Sequence, residues 1–403
     1  MIHQPPAGAR DLLPLEVAQK SWINDSLQEV FQRWGYQRIV TSTIEWLDTL
    51  MAGGAIEQSK VIQLLDFDSG RLGLRPELTA SIARAAVTRM EASTTQRLCY
   101  RANVFRNPPS GYHGKQLEFY QAGVELLFAQ GILADGEIIL LLADCFDKLG
   151  IQQWHLILGE ASLTCSLLSV FPEPLKNQVR NAIANLDRIT LENLPLSPKL
   201  KEKALFLFDL RGKPTDVLAK VASLELDASA TKIVNNLKSL MELLDRSSTK
   251  TLPLILDLSV IQSMDYYTGI VFEAVSINDG KAHILGQGGR YDELLGIYHP
   301  QGKSSPGIGF ALNIEDLHAC LLYDSKLPQS TPASDWLVIP QTDQAIAHAF
   351  IYAQKLRQSE HLLRVEIDLE SRSPAEIREY AKNNRINNLA WIQADEVPII
   401  ERL

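Results

Sequence analysis

One stretch of this chain, from Gln262 to Glu315, constrains the fold more than any other. It opens with QSMDYYTG, continues with the β-branched and aromatic run IVFEAV and the glycine cluster GQGGRYD, and closes with GIGFALNIE. Alternation in the run 270–275 predicts a strand with two different faces, and the glycines let a backbone or a ligand approach closely. The stretch predicts an antiparallel sheet with tight turns that carries an unusual polar set: Asp265, Tyr266, Tyr267, Glu273, Arg290, Tyr291 and Asp292.

The composition is typical of a globular protein with two or three domains. The chain has 403 residues, of which 46% are hydrophobic and 22% are charged, and one domain commonly takes about 100–200 residues. Its formal net charge is −9, whereas a protein that holds a polyanion usually presents a basic face. The charge therefore argues against a nucleic-acid partner, although a local basic patch stays compatible with it.

The cysteines indicate a reducing compartment. Cys99, Cys145, Cys165 and Cys320 stand far apart and form no Cys-x-x-Cys pair, which disfavours a disulfide framework or a metal site. We therefore expect a cytoplasmic protein without a metal or cofactor. The N-terminus does not resemble a signal peptide, and no apolar run reaches membrane-spanning length, so we expect no membrane association.

The N-terminal segment predicts a long amphipathic helix followed by a strand. Gly35 would end the helix, and the strand would run from Gln37 to Thr41. The apolar positions of the predicted helix fall on one stripe: Ile23, Leu27, Val30, Phe31 and Trp34.

The segment RPELTA, at positions 75–80, predicts the start of a second helix. Pro76 suits a first helical turn, where no amide donor is needed. Glu77 is then either a first-turn carboxylate that favours the helix dipole or a partner for a bound cation. A hairpin is predicted just before this helix, because apolar runs flank a turn-forming cluster: strands 61–67 and 71–75 around 68–70.

A second polar segment, with NVFRNPPSG at 103–111 and KQLEFYQAGVE at 115–125, predicts two strands joined by a loop. Gln121 and Glu125 are four residues apart, so their side chains share one face of a strand. That face is either solvated, or it presents an amide and a carboxylate that can grip an imidazole and an amino group together.

Residues 166–250 predict a helical insertion, because apolar residues there recur at helical spacing. Residues 326–335 read as a linker rich in Pro, Ser and Thr. Beyond it, strands and helices alternate as β-α-β-α-β, and Ser373 with Glu376 predicts a capping box. Residues 333–403 hold eight Lys or Arg against eleven Asp or Glu, a net charge of −3. A surface that grips tRNA is not evident there.

Together these motifs resemble the histidyl-tRNA synthetase family, which shares Asp-Tyr-Tyr, Gly-Gly-Arg-Tyr-Asp, Arg-Pro-Glu-x-Thr-Ala and Gln-x-Gly-x-Glu. The resemblance implies an α+β fold: a class II aminoacyl-tRNA synthetase-like antiparallel sheet flanked by helices in residues 1–325, and a shortened anticodon-binding-like α/β domain in residues 336–403. The N-terminal helix and strand resemble the dimer interface of that class. The resemblance also implies a histidine pocket formed by Glu77, Thr79, Arg106, Gln121, Glu125, Tyr266 and Tyr267.

Three positions depart from the synthetase pattern. Pro108 replaces a glutamate that contacts ATP, and Gln262 and Asp316 replace two arginines that act on the α-phosphate. Two unit charges at ~4 Å interact by roughly 4 kcal/mol at an effective dielectric of about 20, so the loss of one cation and the inversion of another would strongly weaken nucleotide binding. The departures imply that the histidine half of the site is kept and the ATP half is lost, with no catalytic residue.

This combination resembles the regulatory subunits of ATP phosphoribosyltransferase, which are paralogues of histidyl-tRNA synthetase. The resemblance implies a non-catalytic subunit that pairs with a short catalytic subunit in the first step of histidine biosynthesis. It also implies feedback by L-histidine, a dimer within a hetero-oligomer, and no tRNA. Two alternatives stay open: an active histidyl-tRNA synthetase in which Arg101 or Arg290 replaces the missing arginines, and a free-standing histidine sensor.

Overall fold

The computed structural model describes residues 3–54, 56–64, 70–90, 94–107, 116–224, 226–247, 250–259, 266–278, 280–394 and 397–403. The chain divides into two compact units, Met1–Leu327 and Pro328–Leu403. Pro108, Gln262 and Asp265 lie outside the described residues, as do residues 68 and 69 of the predicted hairpin turn.

The helices of the first unit, within its described residues, are α1 (Pro14–Arg33), α2 (Leu47–Met51), α3 (Thr79–Arg89), α4 (Ile132–Leu149), α5 (Ala161–Leu168), α6 (Glu173–Ala184), α7 (Arg188–Asn193), α8 (Pro198–Phe208), α9 (Pro214–Ala222), α10 (Ala228–Ser247), α11 (Leu294–Tyr298) and α12 (Ile314–Tyr323). Helices α6 to α10 form the helical insertion that the apolar spacing predicted. The apolar stripe of α1 is buried as expected, from Ile23 to Phe31.

The strands of the first unit are β1 (Gln37–Arg38), β2 (Ile44–Trp46), β3 (Gln63–Leu64), β4 (Leu72–Leu74), β5 (Gln96–Phe105), β6 (Glu118–Leu127), β7 (His155–Glu160), β8 (Arg211–Gly212), β9 (Leu254–Asp257), β10 (Ile270–Asn278), β11 (Lys281–Arg290) and β12 (Gly307–Asn313). Nine of these described strands form one sheet in the order β1-β5-β6-β12-β11-β10-β7-β9-β8, and β2-β4-β3 form a small second sheet. Strands β5, β6, β12, β11, β10 and β7 pair antiparallel. This confirms the predicted α+β fold.

Alternate residues of the central strands face opposite layers. Val124, Phe310 and Phe272 point into the main core, which also contains the apolar faces of α1 and α4. The other face carries Glu125 and Gly309 and is covered by a second core around α3 and α11. Burial of large apolar side chains on one face leaves the opposite face free for polar residues.

Two predicted strands of this unit are shorter in the structure. The strand predicted from Gln37 to Thr41 contains only Gln37 and Arg38, which pair with β5. The second predicted hairpin strand, 71–75, contains only Leu72–Leu74, and it pairs with β3 as predicted, whereas residues 65–67 of the first predicted strand lie outside the described residues. Pairing with a neighbour, which the local sequence does not record, determines where a strand ends.

The second unit is a four-stranded sheet with helices, within its described residues. Its elements are β13 (Trp336–Pro340), α13 (Ile346–Arg357), β14 (Val365–Ile367), α14 (Pro374–Asn383), β15 (Asn388–Ile392) and β16 (Pro398–Arg402). The sheet order is β14-β13-β15-β16. The alternating β-α-β-α-β pattern is confirmed, and so is the capping box between Ser373 and Glu376 at the start of α14. The antiparallel strand β16 was not predicted.

Candidate functional site

A narrow cavity lies on the sheet face opposite α1 and α4. The centre of a water molecule can move through ≈ 30 Å³ of it, which is more than the roughly 10–15 Å³ that one water molecule needs by this measure. Its walls include all of the residues that the sequence analysis assigned to a pocket: Glu77, Thr79, Arg106, Gln121, Glu125, Tyr266 and Tyr267. Residues separated by as many as 190 positions in the sequence therefore share one small volume.

Strand register brings Glu125 onto the cavity floor. Glu125 lies opposite Gly309, and Gly123 lies opposite Ala311, where β6 pairs with β12. A Cβ at position 309 would collide with Oε2 of Glu125. Glycine at 309 is therefore required for the carboxylate to lie across the neighbouring strand.

Glu77 lies two residues before the start of α3, and its side chain binds the first backbone amides of that helix. Its carboxylate accepts hydrogen bonds from the backbone amides of Thr79 at 2.5 Å and Ala80 at 2.9 Å. The helix begins at Thr79, so the prediction that Pro76 occupies its first turn was wrong. Burial raises the pKa of Glu77, while these bonds and the Arg106 guanidinium oppose the rise.

Glu125 is only 1% exposed and has weaker partners than Glu77. The Thr79 hydroxyl donates to its Oε1 at 2.8 Å, and the Tyr291 hydroxyl donates to its Oε2. Within the described part of the chain, no Lys, Arg or His forms an ion pair with it. Burial raises the pKa of Glu125 to about 8, helped by the charge of Glu77.

Tyrosine rings form one wall of the cavity. The ring centroids of Tyr266 and Tyr267 lie 4.8 Å apart, and Tyr266 meets Tyr291 edge-on at 5.9 Å. Burial holds the pKa of all three hydroxyls above the usual range, so they remain neutral donors. Such a wall suits a flat ring that bears polar nitrogens.

Gln121 and Arg106 supply the remaining polar groups. Gln121 is 8% exposed, and its buried Oε1 has no hydrogen-bond partner among the described residues. An unsatisfied buried acceptor costs about 1–3 kcal/mol, so this oxygen is suited to a ligand donor. Arg106 donates from Nε to the Pro76 carbonyl at 2.7 Å and lies over Phe119.

The comparisons with known proteins identify the family. The family model described as Histidyl-tRNA synthetase matches residues 8–317. Two proteins named ATP phosphoribosyltransferase regulatory subunit are each 69% identical to the chain: that of Rippkaea orientalis over 403 residues and that of Gloeothece citriformis over 405. Both alignments cover 100% of the chain and 99% of the relative. This chain belongs to the family of ATP phosphoribosyltransferase regulatory subunits.

Solved structures agree with this family and its fold. The chain superposes with a TM-score of 0.80 on a Bacillus halodurans structure described as an ATP phosphoribosyltransferase regulatory subunit/histidyl-tRNA synthetase. The two are 26% identical, and the match covers 97% of the chain and 98% of that protein. Histidyl-tRNA synthetase from Nostoc sp. PCC 7120 has a TM-score of 0.78 at 19% identity, covering 99% and 96%, which shows a shared fold.

In this regulatory-subunit chain, Asp316 lies in the first turn of α12 and not in the cavity wall. Its Oδ1 is 3.0 Å from Nδ1 of His283, and its Oδ2 accepts from the Asn313 amide at 2.5 Å. Arg101 and Arg290, the arginines considered as replacements, do not line the cavity either. Arg101 pairs with Asp25 at 3.2 Å.

A second cavity is lined in part by residues of α10. It holds about 640 Å³ and is lined by Asp135, Glu160 and Arg290, among others. Arg290 donates to Asp135 at 2.6 and 2.9 Å and to Asp292 at 3.0 Å. The arginine of the Gly-Gly-Arg-Tyr-Asp motif is thus saturated by carboxylates, while the adjacent Tyr291 points into the first cavity.

Sequence reasoning missed several wall residues of the first cavity. Tyr291 was noted only as part of a polar set, although its hydroxyl contacts Glu125. Tyr100 and Gln287 were not considered, yet both line the cavity. Strand alternation could have found Gln287, because it lies two residues before Gly289, which pairs with Gly309 beside Glu125.

No described helix is long and apolar enough to cross a membrane.

Proposed function

We propose that this chain is the regulatory subunit of an ATP phosphoribosyltransferase and acts with a separate catalytic subunit. The support is its 69% identity over the full length to proteins with that name. A regulatory subunit needs no reaction of its own, but it needs a ligand site that can report metabolite concentration. We propose that it functions in the cytoplasm, in the first step of histidine biosynthesis.

The proposed effector is L-histidine, bound in the cavity between α3 and the sheet. The observation that carries this assignment is the buried Gln121 Oε1, which lacks a partner among the described residues while facing the tyrosine wall. An imidazole N–H would satisfy this oxygen, and the tyrosine rings would cover the imidazole faces. The ligand ammonium would lie between Glu77 and Glu125, because a buried ammonium needs carboxylate partners.

We further propose that the chain does not activate histidine with ATP. Arg106, the one described cation in the cavity wall, is already close to Glu77. Asp316 provides a negative charge where the synthetase pattern has an arginine, and Pro108 and Gln262 are neutral. Stabilisation of charge in the transition state is usually the largest catalytic term, so this arrangement disfavours adenylation.

The test combines three assays on purified full-length protein. We expect no histidine-dependent exchange of pyrophosphate into ATP, and stimulation of a catalytic subunit that has little activity alone. L-Histidine should inhibit the complex, and Gln121→Leu in this chain should weaken that inhibition. Clear pyrophosphate exchange by the isolated chain would refute the proposal in favour of a synthetase. Failure to bind or stimulate a phosphoribosyltransferase would favour a free-standing sensor.

We propose that the chain self-associates as a dimer within the hetero-oligomer and binds no tRNA. Apolar side chains near β1 and β2 support the dimer, since Val40 is 78% exposed and Trp46 is 50% exposed. Clusters of exposed apolar residues commonly mark protein interfaces. Light scattering should give the mass of a dimer for the isolated chain, and Val40→Asp should shift it toward the monomer.

A further inference from the structure

The two carboxylates of the cavity, Glu77 and Glu125, differ in how the protein supports a negative charge. Glu77 accepts two backbone amides at the start of α3 and lies near Arg106. Glu125 accepts only from the hydroxyls of Thr79 and Tyr291. Amides and a guanidinium stabilise an anion better than neutral hydroxyls do. Glu77 is therefore the carboxylate better suited to remain charged in the empty cavity.

Among the described residues, no Lys, Arg or His forms an ion pair with Glu125, whose partners are two hydroxyls. Arg106 lines the same cavity, and its charge lowers the pKa of Glu77. The titratable and charged groups that face Glu125 from the surrounding elements are Glu77, Arg106, Tyr36, Tyr100, Tyr266, Tyr267 and Tyr291. A second buried anion beside Glu77 costs free energy unless a cation enters.

We propose that L-histidine binding ionises Glu125, which is a neutral carboxylic acid in the empty pocket and a carboxylate in the complex. This inference rests on the proposed function, because it specifies a change of protonation at the same site. The O–H bond of Glu125 breaks and the proton passes to the solvent as the ligand ammonium enters. The ammonium that arrives beside Glu125 compensates the carboxylate that forms there, and because L-histidine brings its own α-carboxylate as well, the complex holds one proton fewer than the separate chain and ligand.

The hydroxyl partners of Glu125 fit both protonation states. A hydroxyl donates one hydrogen bond and accepts others, so Thr79 and Tyr291 can accept from the acid or donate to the carboxylate. Burial and Glu77 together raise the pKa of Glu125 to about 8, and an ammonium beside it would lower that pKa. At pH 7 Glu125 is therefore mostly protonated and uncharged in the empty pocket.

Proton release makes the affinity depend on pH. Below about pH 8 the dissociation constant for L-histidine should fall by up to about tenfold per pH unit as the pH rises, because one proton is lost per ligand bound. Part of the change below pH 7 would come from the ligand imidazole, whose pKa is about 6.5. Imidazolepropionate, which lacks the ammonium, should bind weakly and without release of a proton.

The experiment is calorimetric titration of L-histidine into the full-length chain, alone and with its catalytic subunit, at pH 7.5 in phosphate and in Tris. The two buffers differ in ionisation enthalpy, so the apparent binding enthalpy reports the protons exchanged. We expect release of about three-quarters of a proton, the fraction of an acid with a pKa near 8 that is protonated at that pH. Glu125→Gln should reduce the release to near zero.

Two further variants keep the result unambiguous. Glu160→Gln alters a buried carboxyl outside the pocket whose pKa burial also raises, to about 7, and it should release protons like the unaltered chain. Glu77→Gln should bind more weakly but still release a proton, even if Glu125→Gln fails to fold. Binding without buffer dependence, or release that persists in Glu125→Gln, overturns this inference and leaves the proposed function intact. Absence of any L-histidine binding overturns both.

Discussion

Glu125 and Asp135 are both buried carboxyls of the same unit, and they have opposite surroundings. Asp135 is 8% exposed and accepts two hydrogen bonds from Arg290. Glu125 is 1% exposed and has hydroxyl partners but, within the described residues, no ion pair. Burial raises the pKa of both groups, yet Arg290 opposes the rise only at Asp135.

This difference separates a structural carboxyl from a ligand-binding one. The Arg290 cluster satisfies its own charges in the wall of the larger cavity that α10 lines in part, because Asp135 and Asp292 both pair with the guanidinium. The smaller cavity contains the buried Gln121 Oε1, which has no hydrogen-bond partner among the described residues, and Glu125, which forms no ion pair among them. A buried acceptor without a partner reduces stability, so its position beside an acid of raised pKa favours a bound ligand there.

The largest expected effect comes from removing the cation of the satisfied cluster. Arg290→Met leaves Asp135 buried without its partner and should lower the free energy of unfolding by about 3–5 kcal/mol. Urea denaturation followed by tryptophan fluorescence measures this change. The double variant Arg290→Met with Asp135→Leu should recover most of the loss, because neither charge remains buried.

Arg101→Met is the matched control for Arg290→Met. Arg101 pairs with Asp25 at 3.2 Å at a partly exposed position, so its loss should cost at most about 1 kcal/mol. If Arg290→Met were no more destabilising than this control, the distinction between the two buried carboxyls would be lost.

The next effect concerns the charged partner of the ligand. Glu77→Gln keeps an acceptor for the amides of α3 but removes the negative charge beside the proposed ammonium. We expect the dissociation constant for L-histidine to rise about hundredfold, since a hydrogen bond to a charged group contributes about 1.5–3 kcal/mol. Calorimetry checks the value, with Glu160→Gln as a control of unchanged affinity. An unchanged constant in Glu77→Gln would place the ammonium elsewhere.

Gln121→Met should have effects of opposite sign on stability and binding. The substitution removes a buried oxygen without a described partner, so the unliganded chain should become about 1 kcal/mol more stable. It also removes the proposed acceptor of the imidazole N–H, so the L-histidine affinity should fall about tenfold. Thermal unfolding with and without ligand measures both. A loss of stability without ligand would mean that Gln121 serves the fold and not the ligand.

The smallest effect is the pH dependence of stability in the unliganded chain. The pKa of Glu125 is raised to about 8 in the folded state, so the folded chain holds a proton that the unfolded chain has lost above about pH 4.5. Stability from this group is therefore greatest at low pH and is lost as the pH rises toward 8. Between pH 7 and 8 the loss should be about 1 kcal/mol.

Two variants show which carboxyl causes the decline in stability as the pH rises. Glu125→Gln should remove the decline between pH 7 and 8, whereas Glu160→Gln should act mainly below pH 7, because the pKa of Glu160 is raised only to about 7. Denaturation curves at half-unit pH steps resolve the two windows. If stability declined equally with pH in Glu125→Gln and in the unaltered chain, the prediction that folded Glu125 holds this proton would be contradicted.

Features with a local physical cause were predictable from the sequence. The stripe on α1 follows from helical periodicity, and the capping box of α14 follows from Ser373 and Glu376. Short strands were harder, because β1 and β16 exist through pairing with β5 and β15. The start of α3 was misplaced because the side chain of Glu77 binds the first backbone amides of the helix.

The sequence by itself determined the family, the α+β class and seven of the residues that line the cavity, because motifs and periodicity are local and survive in the order of the residues. Only the tertiary structure decided which groups surround each ionisable side chain and therefore whether that side chain is charged. Arg290 and Asp135 are 155 positions apart, and Glu125 and Tyr291 are 166 apart. Whether a buried carboxyl meets a guanidinium or a hydroxyl depends on which strands and helices pack together, and that contact sets its ionisation.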